Sequence, residues 1–250
     1  MKLPDRIFGI STSEAYKKYL EESKKKPKNE DQIPKAGEIT TSITGINLGD
    51  YIFLPRHNIY VAKEKTHLGK DWNQAHEELH KERARMLTIR EFVDFLLFLR
   101  SGNVQDGLGN IVTGPDVQSV YNEITEVRSP WRAEWIDAYF SQQPNASILN
   151  ISYNHRIVNG KLQPQNTESL EQHLTEDKVP GIDLVDWLSR ANKQGLPPSD
   201  VKSGSLYYWH PKNGRVARFR ADSGRAFLSC LGVPSYSDSS LGVRVVRDKV

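Results

Sequence analysis

Arg215-Val-Ala-Arg-Phe-Arg-Ala-Asp-Ser-Gly-Arg-Ala-Phe-Leu-Ser-Cys-Leu231, and after it Leu241-Gly-Val-Arg-Val-Val-Arg247, is the stretch on which the fold turns. Along a strand, successive side chains point to opposite faces. Arg215, Ala217 and Phe219 alternate with Val216, Arg218 and Arg220, which predicts a strand. Asn213-Gly214 ahead of it marks a turn, and Leu241–Arg247 predicts a terminal strand. The tail from Leu206 onward is therefore β-rich.

The same tail has an unusual composition. Between Asn213 and Arg247 there is no Lys, Glu, Gln, Met or Trp, although these five types make up about a fifth of the chain. Strands disfavour Lys and Glu, but the stretch keeps Arg, Asp and Ser freely. Residues of scaffold type (Val216, Ala217, Phe219, Ala221, Ala226, Leu228, Cys230, Pro234) interleave with a chemically mixed set. That mixed set is Arg220, Asp222, Arg225, Phe227, Ser229, Leu231, Val233, Tyr236 and Asp238. Tyr207, Tyr208 and His210 extend it.

Working back from the tail, Leu149, Ile151, Tyr153, His155 and Ile157 alternate with polar residues and predict a strand with one wet face. Asn159-Gly160 predicts a hairpin turn after it. Thr88-Ile-Arg-Glu91 is a capping box, in which hydroxyl and carboxylate each satisfy an orphan amide. The apolar run Phe92–Leu99 then predicts a buried helix, ended by Gly102. A helix over Asp71–Arg85 precedes it, with Asp71 as cap. A short helix starts at Pro115, another spans Gly181–Lys193, and Trp131–Phe140 is half buried. Ile39–Val61 reads as β-rich. Ser11–Lys26 predicts a polar helix, and the Pro- and Gly-containing stretch Lys24–Gly37 predicts a linker. Residues 1–37 are thus expected to be an extension, with one compact domain over 38–250. Core candidates are Trp72, Leu79, Phe92, Phe95, Leu96, Leu99, Trp131, Trp135, Phe219, Leu228, Val243 and Val245.

The 250 residues are 37% hydrophobic and 26% charged, enough for a packed core. A net charge of +3 without a clustered basic stripe points away from nucleic acid. The run Lys24-Lys25-Lys26-Pro27-Lys28 is flanked by acids and reads as a solvated linker. Neither a leader-type apolar segment nor a run of eighteen apolar residues appears, so direct membrane insertion is not expected. A cytoplasmic location, or display through a partner, is the corresponding expectation. Cys230 is the only cysteine, in an apolar stretch that predicts a buried, inert thiol.

One enzyme-like motif stands out. His76-Glu77-Glu78-Leu79-His80 has the spacing by which zinc hydrolases set two imidazoles one helical turn apart, with a glutamate as base. Its neighbours Gln74, Lys81, Glu82 and Arg83 make a wet helix face. A third ligand would come from Glu91, His57, His67 or His155. A zinc-dependent hydrolase is therefore one alternative function, and a structural subunit of a viral or surface assembly another.

The tail resembles the variable region of proteins diversified by diversity-generating retroelements. The resemblance rests on Arg215–Phe219, on Ala221, Ser223, Ala226, Leu228 and Cys230, and on Ser239-Ser-Leu-Gly-Val-Arg-Val-Val-Arg247. It is specific over these last thirty-five or so residues and generic from Tyr51 to there. Such proteins resemble the formylglycine-generating-enzyme branch of the C-type lectin fold, where a closing Gly-Val-Arg strand is common. The resemblance implies an α+β, C-type-lectin-like fold: two helices packed on twisted, mostly antiparallel strands with long loops. It also explains the missing residue types. Diversification acts on adenines of Asn codons whose third base stays a pyrimidine, and such codons never encode Lys, Glu, Gln, Met or Trp. The implied function is noncatalytic display of a hypervariable ligand-binding surface. Its candidates are Tyr207, Tyr208, His210, Arg220, Asp222, Arg225, Phe227, Ser229, Leu231, Val233, Tyr236 and Asp238. Trp209 cannot arise from such codons and is assigned to the scaffold. The expected partner is a protein or surface ligand, with no cofactor, metal or catalytic residue. The family's oxygen-activating enzymes need two cysteines, and Cys230 stands alone. The Glu-Pro-Asn or Gln-Pro-Asp loop of calcium-dependent sugar binding is missing.

Overall fold

The computed structural model describes residues 6–7, 10–11, 46–144 and 147–249. The linker Lys24–Gly37, and the helix over Ser11–Lys26 beyond Ser11, lie outside the described residues. Two short strands, β1 (Arg6–Ile7) and β2 (Ile10–Ser11), pair antiparallel.

The main body is a mixed α/β fold with a ten-stranded sheet and, among the described residues, four α-helices. Besides the two helices expected to pack on the strands, the short helices expected from Pro115 and over Gly181–Lys193 are present as α3 and α4 below. Strands β3 (Tyr51–Leu54) and β4 (Ile59–Thr66) form a hairpin. Helices α1 (Trp72–Lys81), α2 (Ile89–Ser101) and α3 (Gly114–Thr125) follow. Then come β5 (Arg132–Gln142), β6 (Leu149–Val158), β7 (Lys161–Ser169), β8 (Lys178–Ile182) and α4 (Leu184–Arg190). The tail supplies β9 (Leu206–Trp209), β10 (Arg215–Ala221), β11 (Ala226–Gly232) and β12 (Leu241–Asp248). Spatial order is β3-β4-β12-β5-β10-β11-β9-β8, with the β6–β7 hairpin leaving from β5. Pairing is antiparallel except for β12 with β5 and β11 with β9.

Local chemistry accounts for the helix boundaries. Asp71 and Gln74 form a capping box at α1, and Thr88 and Glu91 form one at α2. Gly102 ends α2 in the left-handed conformation, at φ 73°. The helix expected over Gly181–Lys193 is shorter, because Gly181 belongs to β8. A Cβ there would collide with the Leu206 carbonyl, and Asp183 caps α4 instead.

Two cores flank the sheet. On one side Phe92, Phe95 and Leu96 of α2, Ile124 of α3 and Trp187 of α4 pack with Ile136, Phe219 and Leu228. On the other, Trp72, Ala75 and Leu79 of α1 pack with Trp135, Val243 and Val245. Strand β12 is buried from Leu241 to Arg247 between β4 and β5. Gly242 fits there because a side chain would strike the Thr66 carbonyl oxygen. Arg244, 1% exposed, lies inside a network. It donates to Glu134 at 3.2 Å, to Glu123 at 2.5 Å and to the carbonyls of Ala62 and Lys63. Arg132 donates to the same two glutamates at 3.1 Å. Burial opposes ionisation of Glu134, but Arg132 and Arg244 outweigh it and hold the carboxyl below its usual range. Among the described residues no helix is long and apolar enough to cross a membrane.

Candidate ligand-binding face

Strands β10, β11 and β9 lie side by side, and their register sets out two faces. Phe219, Leu228 and Tyr208 are neighbours across the three strands, as are Arg220, Phe227 and Tyr207, and as are Arg218, Ser229 and Trp209. The first row enters the core under α2. The other two rows point the opposite way, by the period-two rule. On that outer side the second core reaches β10 only as far as Val216, and Phe227 belongs to neither core.

The outer side chains stack on one another instead. The Arg220 guanidinium sits 4.2 Å from the ring centre of Trp131 and 5.5 Å from that of Phe227. Phe227 meets Trp209 edge-on at 4.6 Å, and Trp209 neighbours Tyr207 at 6.0 Å. Arg225 lies 5.1 Å from Tyr207, and Arg218 lies 5.5 Å from Tyr236. These spacings are those of cation–π and aromatic contact. The result is a platform of alternating guanidinium and aromatic groups.

Its electrostatics leave acceptor-seeking groups. Nε of Arg218 and Nε of Arg220 are buried and lack a hydrogen-bond partner among the described residues. Burial, and then the charge of Arg220, push the Arg218 pKa down. Asp222 partly balances the charge, 3.5 Å from Arg220 and 3.8 Å from Arg225. The same carboxylate caps the β10–β11 turn by accepting from the amides of Gly224 and Arg225. The net positive charge of the three guanidinium groups against the single Asp222 carboxylate favours an incoming carboxylate or carbonyl.

The structure sorts the candidates from the sequence. Tyr207, Arg220, Asp222, Arg225 and Tyr236 share the platform. Leu231 is half buried, while Val233 and Tyr236 are 42% and 40% exposed. Phe227 and Ser229 lie on the outer side but are buried, at 6% and 4%, because neighbouring side chains lie over them. They form the floor of the face and are not among its solvent-facing side chains, where they had been expected. Asp238 braces the β11–β12 loop, accepting from the Ser240 amide and lying 3.5 Å from the Tyr236 hydroxyl. His210 is tied to Asp177 at 2.6 Å, beside β8. Tyr208 does not belong to the face. It is fully buried, and its hydroxyl donates to the Leu174 carbonyl, because adjacent residues of a strand cannot point the same way. Trp131, expected in the core, is half buried under Arg220. Arg218 and Trp209 were not expected at the face and are there. Period-two spacing from Arg220 and from Tyr207 was the available signal.

Cys230 lies on the core side, and burial pushes its thiol far above the usual range. It is expected to resist maleimide or disulfide-exchange reagents in the folded protein and to react fully in urea. Rapid labelling of folded protein, followed by mass spectrometry, would contradict that burial.

The paired-histidine motif is not assembled as a zinc hydrolase would require. His76 is buried, whereas Glu77 and His80 are exposed on α1. Of the third ligands considered, Glu91 binds Arg85, His57 binds Asp94 and His67 binds Glu82. Only His155 lies beside His76. No family model, curated protein or solved structure matches this chain.

Proposed function

We propose that this chain is a noncatalytic binding protein. It presents the outer side of β9–β11–β10 and the loop after β11 as a diversified recognition surface on a C-type-lectin-like scaffold. The variable proteins of diversity-generating retroelements are its models. The observation that carries this reading is the coincidence of two independent features. The segment without Lys, Glu, Gln, Met and Trp supplies Arg218, Arg220, Arg225, Phe227 and Tyr236 of the platform, stacked with Trp131, Tyr207 and Trp209 from outside it. Arg and Tyr are the residue types that anchor protein interfaces, through large contact area and directed hydrogen bonds. The guanidinium groups of Arg218, Arg220 and Arg225 favour a ligand rich in carboxylates or exposed carbonyls. Leu231 and Val233 add apolar contact that a partner would cover.

A display library tests the reading. Arg218, Arg220, Asp222, Arg225, Leu231, Val233 and Tyr236 are randomised with pyrimidine-ending codons and panned against a single folded protein such as lysozyme. A control library randomises seven exposed residues of β7. The face library is expected to stay folded and yield specific binders of micromolar affinity or better, about −8 kcal/mol, where the control yields none. Unfolding of most face variants, or equal yields from both libraries, would overturn it.

A further inference from the structure

Under α1, three side chains from three different elements converge: His76 of α1, Asp137 of β5 and His155 of β6. All are buried, and one donor atom of each lies within 4.8 Å of the others. His76 Nε2 stands 3.6 Å from Asp137 Oδ1. It has no hydrogen-bond partner among the described residues, although its side chain is only 2% exposed. A buried nitrogen aimed at a carboxylate and bonded to nothing calls for a missing partner. Asp137 is fixed on its other sides. His155 Nδ1 contacts Oδ1 at 2.5 Å, and the His155 amide donates to Oδ2 at 2.9 Å. The Trp72 ring stands edge-on to both imidazoles, at 4.3 and 4.8 Å, and its Nε1 donates to the Ile136 carbonyl. The ligand-bearing side chains are therefore walled by a ring that is itself anchored.

We propose that His76, Asp137 and His155 form a binding site for one divalent first-row transition ion. Two imidazoles and one carboxylate are the donors such ions take from nitrogen and oxygen ligands. A tetrahedral ion with bonds of ~2.1 Å holds its ligand atoms ~3.4 Å apart. The His76–Asp137 spacing of 3.6 Å already fits. The shorter His155–Asp137 contact is a hydrogen bond of the metal-free form. It opens when the ion takes the Nδ1 lone pair, with the ring proton carried on Nε2 instead. Asp137 also borders a cavity of about 190 Å³ whose wall includes His57, Glu91 and Tyr153. The site uses neither Glu77 nor His80, so it differs from the helix-borne pair that the motif suggests. It stands independently of the recognition face.

The test uses the full chain after chelator treatment, titrated at neutral pH with zinc and separately with cobalt. One ion per chain is expected, with a visible cobalt absorption band. Excess zinc should raise the unfolding midpoint by several degrees. His76→Ala and Asp137→Asn are expected to weaken zinc at least about 100-fold, while His80→Ala binds as the parent does. Should His76→Ala fail to fold, His155→Gln and the cobalt spectrum of the parent carry the comparison. Folded parent that takes up under about 0.1 equivalent at 10 µM zinc would show a purely hydrogen-bonded triad and overturn the proposal. Equal loss of binding in His80→Ala and His76→Ala would overturn it too.

Discussion

Arg244→Ala is expected to destabilise the fold by about 3–5 kcal/mol, enough to leave much of a marginally stable domain unfolded. The substitution removes the cation that sits between Glu134 and Glu123 and also satisfies two carbonyls of β4. Glu134 is 1% exposed, and its Oε1 already lacks a partner among the described residues. With Arg244 gone, Arg132 is the remaining cation hydrogen-bonded to both carboxylates, helped only by Arg128 at 3.8 Å from Glu123 and by Lys65, and the cost is that of a buried charge left under-compensated. Acid should act on the same network. Glu134 is held below its usual pKa in the folded protein, so the unfolded chain takes up its proton first as the pH falls. The stability this carboxylate contributes is present at neutral pH. It fades as the pH drops below the ordinary carboxylate range. Urea unfolding of Arg244→Ala at neutral pH measures the effect. A loss under about 1 kcal/mol would place the network at the level of a surface ion pair such as Arg190 with Asp200.

Phe219→Ala should cost a similar amount, about 3–5 kcal/mol, while changes at exposed positions of the outer face should cost little. Phe219 is fully buried, and its ring meets Phe92 of α2 at 5.2 Å. Truncation leaves a cavity between sheet and helix that rigid neighbours cannot close. Arg225→Ala, Val233→Ala and Tyr236→Ala remove exposed side chains from the same hairpin and following loop, each for about 0.5 kcal/mol or less. Phe227→Ala falls between the two, since its ring is covered by Arg220 and Trp209 but lies outside both cores. Thermal or urea midpoints for this series measure how sharply tolerance changes from one face of a strand to the other. Equal costs at Phe219 and Tyr236 would mean that the two faces are not distinct.

Much of this was legible locally. The capping boxes at Asp71 and Thr88, the Gly102 stop and the Asn159-Gly160 turn act through neighbours in sequence, and each appears where the residue types require it. Strands β6 and β10 followed from period-two alternation, and β12 was legible as a terminal apolar run. What stayed hidden depends on partners far along the chain. Nothing in Leu241–Arg247 indicates that it runs parallel to β5 and antiparallel to β4. Trp131 looked like a core residue by type, and only Arg220, brought alongside by the β5–β10 pairing, makes it part of the face. Tyr207 and Tyr208 invited the same assignment although a strand must separate them. His76 carried a local motif toward His80, whereas its actual neighbours come from β5 and β6.

Sequencing many sister copies of the gene, together with the flanking DNA, separates a diversified face from an ordinary protein surface. Substitutions are expected to concentrate in codons for the outer side of β10 and β11 and the loop after them. Those codons should end in C or T, and an adenine-rich template repeat should lie nearby. Core positions such as Phe219, Leu228 and Arg244 should be constant. Substitutions spread evenly along the chain, or falling equally on Phe219 and Arg220, would contradict a diversified face.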